Sequence, residues 1–188
     1  MMSVINALLF VGLISLSGAV FANKTDQRVK IDTDLGSFVI ELKPEIAPVT
    51  VKNFLDYVES GFYEGTIFHR VVPGFVVQGG GMTYDFVPKK TRDPIVNEAS
   101  KKLKNITASV AMARTSDPDS ATSQFYINVN DNSALDAKLG KPGYTVFGHV
   151  VEGMETIKKI EKEPLGMYRS FPEAPNYPVR ILKATLLK

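Results

Sequence analysis

The chain has 188 residues, enough for one sizeable hydrophobic core, and gives little reason to expect two full domains. It is 44% hydrophobic and 22% charged with a formal charge of only +2, and its lysines are interleaved with carboxylates, so it has neither the composition of a disordered chain nor the basic tract of a nucleic-acid binder. Cysteine is absent and histidine occurs twice, which excludes disulfides, thiolate metal sites and a cysteine nucleophile, and leaves a zinc cluster poorly supplied.

Residues 1–22 carry no charged side chain, and the run from Val4 to Val20 is mostly aliphatic. Val20 and Ala22 set small residues three and one positions before Asn23, the pattern of a cleaved secretory signal, although the segment has no Lys or Arg ahead of its apolar run. The expectation is a signal peptide over 1–22 and a single folded domain over 23–188, with export to the periplasm. An uncleaved anchor and a buried helix are the alternatives.

Val29–Asp34 and Phe38–Leu42 read as two strands of a hairpin around Gly36. Pro48 fits the first turn of a helix whose Val51, Phe54, Leu55 and Val58 share a face, with Tyr57 at the edge of that stripe and Gly61 as its stop. Ile67–Val72 and Phe75–Gln78 are strands about a Pro73–Gly74 turn, followed by three glycines that lack the Lys-Ser/Thr of a phosphate-binding loop. Residues 82–104 read as loop. Strands follow at Thr107–Ala113, Ser123–Val129 and Tyr144–Val151, then a helix over Met154–Ile160 and a last strand over Pro178–Leu187. The absence of strand–helix alternation argues against a parallel α/β sheet. A mostly β fold, a closed and largely antiparallel barrel with two helices over its ends, is preferred to a sandwich because closure removes exposed strand edges.

Chemistry-bearing residues gather in two of these strands. In Phe68–Gly80 a guanidinium and an amide, Arg70 and Gln78, sit in an apolar strand–turn–strand. Strict alternation puts Arg70 on the face of Phe68 and His69 on the other. Arg70 is read equally as a rim residue that snorkels and as a donor held toward a ligand. In Ser123–Val129 the core stripe is Phe125, Ile127 and Val129, and Gln124, Tyr126 and Asn128 take the opposite face, as a peptide groove or as a solvent-facing strand. His69 reads as a structural, hydrogen-bonded histidine, and His149 as an ordinary strand residue. No nucleophile elbow accompanies either, which argues against a hydrolase.

The segments FHRVVPGFVVQGGG, SVAMARTSDPDSATSQFYINVNDN and YTVFGHVVEGMETIKKI, in that order, resemble the cyclophilin-type peptidyl-prolyl cis–trans isomerases, and the exported, compact form is similar to the bacterial periplasmic branch. The resemblance implies an eight-stranded antiparallel barrel capped by two α-helices, rotation about X-Pro bonds as the activity, and neither cofactor nor metal. It implies Arg70, Phe75 and Gln78 as the catalytic set, and Val76, Ala113, Arg114, Gln124, Tyr126, Leu135 and Tyr144 as substrate-binding. Tyr126 stands where the family usually has Phe, so its hydroxyl needs water or a partner. Ala134 stands where animal members carry Trp, which implies weak cyclosporin binding. The implied partners are proline-containing peptides and unfolded clients of a monomer, without nucleic acid or stable membrane association. A non-catalytic peptide-binding chaperone on the same barrel is the alternative.

Overall fold

The computed structural model describes residues 27–168 and 171–187, so the expected signal segment over 1–22 lies outside the described residues. Twelve regular elements follow in chain order: β1 (Arg28–Thr33), β2 (Gly36–Leu42), α1 (Pro48–Glu59), β3 (Thr66–Val72), β4 (Val76–Thr83), β5 (Ser109–Met112), β6 (Phe125–Asn128), β7 (Val146–Glu152), α2 (Met154–Glu161), β8 (Leu165–Tyr168), β9 (Phe171–Pro175) and β10 (Val179–Leu187). Eight strands close into a barrel in the order β1-β10-β3-β4-β6-β5-β7-β2, each pair antiparallel. Two α-helices cap it, as the strand pattern and the resemblance led one to expect. A separate two-stranded hairpin, β8–β9, lies outside the barrel.

The barrel interior is apolar because alternate residues of each strand point into it. One register row, Val71–Val77–Ile127–Val110, crosses four strands, and all four side chains are buried in the main core. α1 adds an aromatic layer: Phe54 packs on Tyr63, Phe125 and Phe147 at ring-centroid separations of 5.3, 5.7 and 5.1 Å. Tyr57, expected at the edge of the helix stripe, is fully buried, while Leu55 is only half-buried. The Tyr57 ring packs 4.6 Å from Phe62, and its hydroxyl accepts the Arg92 backbone N–H at 2.9 Å, so the polar tip has a partner within the fold. Ala47, at the N-cap of α1, has no side-chain oxygen with which to cap. The Glu98 carboxylate does this from a distant loop, accepting the Val49 and Thr50 N–H groups at 3.1 and 2.8 Å.

β3 departs from strict alternation. Phe68 pairs with Gly79 but Arg70 pairs with Gln78, so two steps along β3 oppose one along β4 and His69 is the extra residue of a β-bulge. Phe68 and Val71 therefore both face the core, and Arg70 is turned to the outer face. The expectation that Arg70 shares the face of Phe68 is thus corrected: the bulge shifts the parity of the strand by one residue.

Candidate active site

The bulge places Arg70 at the end of an outward row. Through successive pairings Arg70, Gln78, Tyr126, Ala111 and Val146 lie side by side across β3, β4, β6, β5 and β7. On this outer surface Val76, Ala111, Tyr126 and Val146 form a small buried apolar cluster, with Phe75, Leu135 and Tyr144 packed around it. The result is a cleft of about 470 Å³ lined by nine residues: Arg70, Phe75, Val76, Gln78, Ala113, Arg114, Tyr126, Leu135 and Tyr144. All nine were expected site residues. The tenth, Gln124, lines an adjoining cavity of about 180 Å³ that shares Gln78, Ala113 and Arg114 with the cleft.

The Phe75 backbone is fixed at both ends. Its N–H donates to the Val72 carbonyl at 3.0 Å across the turn, where Gly74 has φ +73°, and its carbonyl accepts from Val129 N–H at 3.0 Å and Asn132 Nδ2 at 2.8 Å. The Tyr126 ring meets Tyr144 edge-on at 5.9 Å, and Arg114 lies over the Tyr144 ring with its Cζ 4.3 Å from the centroid. Arg114 is tied down by the Gly143 carbonyl, which accepts Nη2–H at 2.8 Å, and by the Thr115 carbonyl, which accepts Nη1–H at 2.8 Å. Leu135 follows from a single 3₁₀ turn, Ser133–Leu135, and its carbonyl accepts the Tyr144 N–H at 3.0 Å.

The polar wall is a chain of directed bonds. Arg70 Nη1–H donates to Gln78 Oε1 at 3.4 Å, and Gln78 Nε2–H donates to Gln124 Oε1 at 3.0 Å. Gly81 allows this, since a Cβ there would fall 2.4 Å from Gln124 Cγ. The Ala113 N–H is engaged by the Gln124 carbonyl at 2.9 Å.

The Tyr126 hydroxyl has the partner it needs. It donates to Asn105 Oδ1 at 2.8 Å, and Asn105 in turn donates through its backbone N–H and Nδ2–H to Asp136 Oδ1 at 2.8 and 3.1 Å. Burial first, and then the neighbouring Tyr144, hold the Tyr126 phenol far above its ordinary range, with Arg114 opposing. The outward-facing Asn128 is itself buried, donating to Ser109 Oγ at 2.8 Å, so neither the groove nor the solvent reading of that residue holds. His69 is buried, with the Phe171 ring edge-on at 6.3 Å. Desolvation, aided by the charge of Arg70, pushes its pKa down to about 4 against the backbone of Ile67. The expected structural, hydrogen-bonded histidine is bonded through the Ile67 backbone, while its Nδ1 has no hydrogen-bond partner.

Two groups in this region were not anticipated. One is the Asn105–Asp136 pair beneath Tyr126. The other is Glu173 of β9, whose Oε2 accepts Arg70 Nε–H at 2.5 Å. Neither has a local sequence signal, because each reaches the site only through the tertiary fold.

Comparisons with known proteins give a consistent picture. The family described as cyclophilin type peptidyl-prolyl cis-trans isomerase/CLD matches residues 28–186. Peptidyl-prolyl cis-trans isomerase A of Dickeya dadantii is 51% identical over 158 residues, covering 82% of this chain and 83% of that protein. Peptidyl-prolyl cis-trans isomerase B of Escherichia coli is 45% identical over 161 residues, covering 84% and 98%. A crystal structure of a cyclophilin type peptidyl-prolyl cis-trans isomerase from Cryptosporidium parvum, in the presence of the dipeptide Ala-Pro, is similar with a TM-score of 0.73 at 27% identity, covering 86% of this chain and 99% of that one.

Proposed function

The chain belongs to the cyclophilin-type peptidyl-prolyl cis–trans isomerases, and from that premise we propose that Arg70 is the group by which it accelerates rotation about X-Pro bonds. A prolyl amide turns slowly because its nitrogen lone pair is shared with the carbonyl, giving a barrier of about 18–20 kcal/mol and uncatalysed times of tens to hundreds of seconds. No covalent bond is made or broken, so the catalyst has only to bind the twisted amide better than either planar form. Twisting returns the lone pair to nitrogen. A guanidinium N–H fixed beside that nitrogen gains a hydrogen bond as the lone pair appears, without reorganising.

The observation that carries this reading is the placing of a half-exposed Arg70, bonded to Gln78, at the edge of an apolar pocket built by Phe75, Val76, Tyr126 and Leu135. The pocket suits the apolar pyrrolidine ring. Gln78, Gln124 and the Ala113–Arg114 backbone are assigned to the flanking peptide. One side of the amide is then held while the other turns.

In this reading the chain is exported to the periplasm, a placement supported by the uncharged segment 1–22, and folds as one domain over 23–188. It acts as a monomer, consistent with a closed barrel in which every strand is paired on both sides. It binds cyclosporin weakly, because Ala134 offers no ring at the exposed rim beside Leu135. The test of the central assignment is turnover of an X-Pro peptide by Arg70→Ala. A fall in kcat/KM of about 10²-fold with an unchanged circular dichroism spectrum is expected, and turnover at the parent rate would remove Arg70 from the mechanism.

A further inference from the structure

We propose that Glu173 is a positioning residue for Arg70, and that the β8–β9 hairpin exists to deliver it; this rests on the reading of Arg70 as the catalytic donor. The hairpin pairs with no barrel strand, yet it is anchored against β3. The Phe171 ring packs 5.2 Å from Phe86 and edge-on to His69, and Ala174 is buried with Ile67 and Phe86 in a cluster outside the barrel. The base of the hairpin is closed by Asn176 N–H donating to the Pro164 carbonyl at 2.8 Å. The hairpin therefore covers the bulge residue His69, whose insertion turns Arg70 outward, and places the Glu173 carboxylate on the Arg70 Nε–H.

The geometry divides the guanidinium into two edges. Nε–H is held by Glu173 at 2.5 Å, and Nη1–H is directed to Gln78 at 3.4 Å in the cleft. Arg70 lines both the cleft and a second cavity of about 220 Å³ formed with His69, Phe171, Pro172 and Glu173, so without the carboxylate its side chain has space on two sides. With the carboxylate present, the fork is held in one plane and presents its remaining donors to the substrate. The pair is 37% and 41% exposed, so it is a weak stabiliser of the fold, and its value lies in orientation.

The test is a double-mutant cycle on kcat/KM for an X-Pro peptide, using Glu173→Ala, Arg70→Ala and the double variant in the full folded domain, with Tm recorded for each. Glu173→Ala is expected to lower kcat/KM about three- to fivefold, the scale of a half-exposed ion pair, with the loss in kcat rather than KM. In the Arg70→Ala background the same change is expected to do nothing. Glu173→Gln, which keeps an acceptor for Nε–H, should recover most of the activity. The Arg70 Nε–H resonance should be resolved in the parent and broadened in Glu173→Ala. An equal loss in both backgrounds, no loss, or faster turnover in Glu173→Ala would overturn the inference. Parent-like turnover by Arg70→Ala would instead overturn the reading of Arg70 itself, so the two failures are distinct.

Discussion

Tyr126→Phe separates what the Tyr126 ring does from what its hydroxyl does. The hydroxyl donates to the buried Asn105 Oδ1 at 2.8 Å, and that oxygen has one further donor, Asn128 Nδ2 at 3.3 Å. Removing the hydroxyl deletes a buried neutral hydrogen bond but does not orphan its acceptor, which puts the cost at the lower end of the usual range, about 0.5–1 kcal/mol. For a chain of this size that corresponds to a fall in Tm of about 1–4 °C. The ring keeps its edge-on contact with Tyr144 and its place in the apolar cluster, so the pocket is unchanged. Thermal unfolding and peptide turnover on the same preparation form the assay. The expected result is lower stability with kcat/KM within about twofold of the parent, because no interaction with the substrate has been removed. An unchanged Tm would show that the Asn105 bond contributes nothing. A tenfold loss of turnover at parent stability would show that the hydroxyl, not the ring, serves the substrate.

His69 should make stability depend on pH. Its pKa falls from 6.5 to about 4 on folding, so between those values the unfolded chain binds more protons and stability rises with pH. The contribution is fully present above pH 6.5 and is lost as the pH falls to about 4, amounting to about 3 kcal/mol; His149 shifts in the same direction and adds to the slope. The lowered carboxylates, among them Asp32, Asp34, Glu41 and Asp136, act in the same direction from about pH 5 downward, so they overlap only the acid end of this window and the His69→Gln comparison separates them. Urea midpoints at pH 7.5, 5.5 and 4.5 should drop steadily in the parent and far less in His69→Gln; a flat parent profile would contradict the burial argument. Ala134→Trp should tighten cyclosporin binding by up to about tenfold, the scale of one added aromatic contact, without loss of turnover since residue 134 is exposed. The chain has no other Trp, so its fluorescence would report binding directly. An affinity equal to the parent's would refute the role given to that position.

The barrel was legible in the sequence because short β-branched and aromatic runs are separated by turns that carry Gly and Pro, without strand–helix alternation. Phe125, Ile127 and Tyr126 took the faces their spacing assigns. The two helices were legible from Pro48 and from the spacing of Ile157 and Ile160, both fully buried. The bulge at His69 was not legible, since any residue can be the extra one and its cause is the pairing with Gln78 and Gly79 on another strand. Tyr57 was misplaced because its hydroxyl reads as polar until Arg92 supplies a donor. The β8–β9 hairpin was missed for a similar reason: its strands are short, three prolines flank or interrupt them, and their apolar faces have meaning only against Ile67 and Phe86. Arg70, Gln78, Gln124 and Tyr126 stood out in the residue pattern, but the full set of ten site residues and their roles came from the resemblance. The structure adds that nine of them share one cleft, and that the partner of Arg70 lies 103 residues away along the chain.

The central claim is that Arg70 stabilises the twisted amide and does not merely hold the substrate. The most direct measurement is the cis–trans exchange rate of an X-Pro peptide on the protein at saturation, read by NMR exchange spectroscopy for the parent and for Arg70→Ala. The account predicts that on-protein exchange falls about 10²-fold while the dissociation constant changes by less than about fivefold. An exchange rate that stays at the parent value while affinity collapses would contradict it.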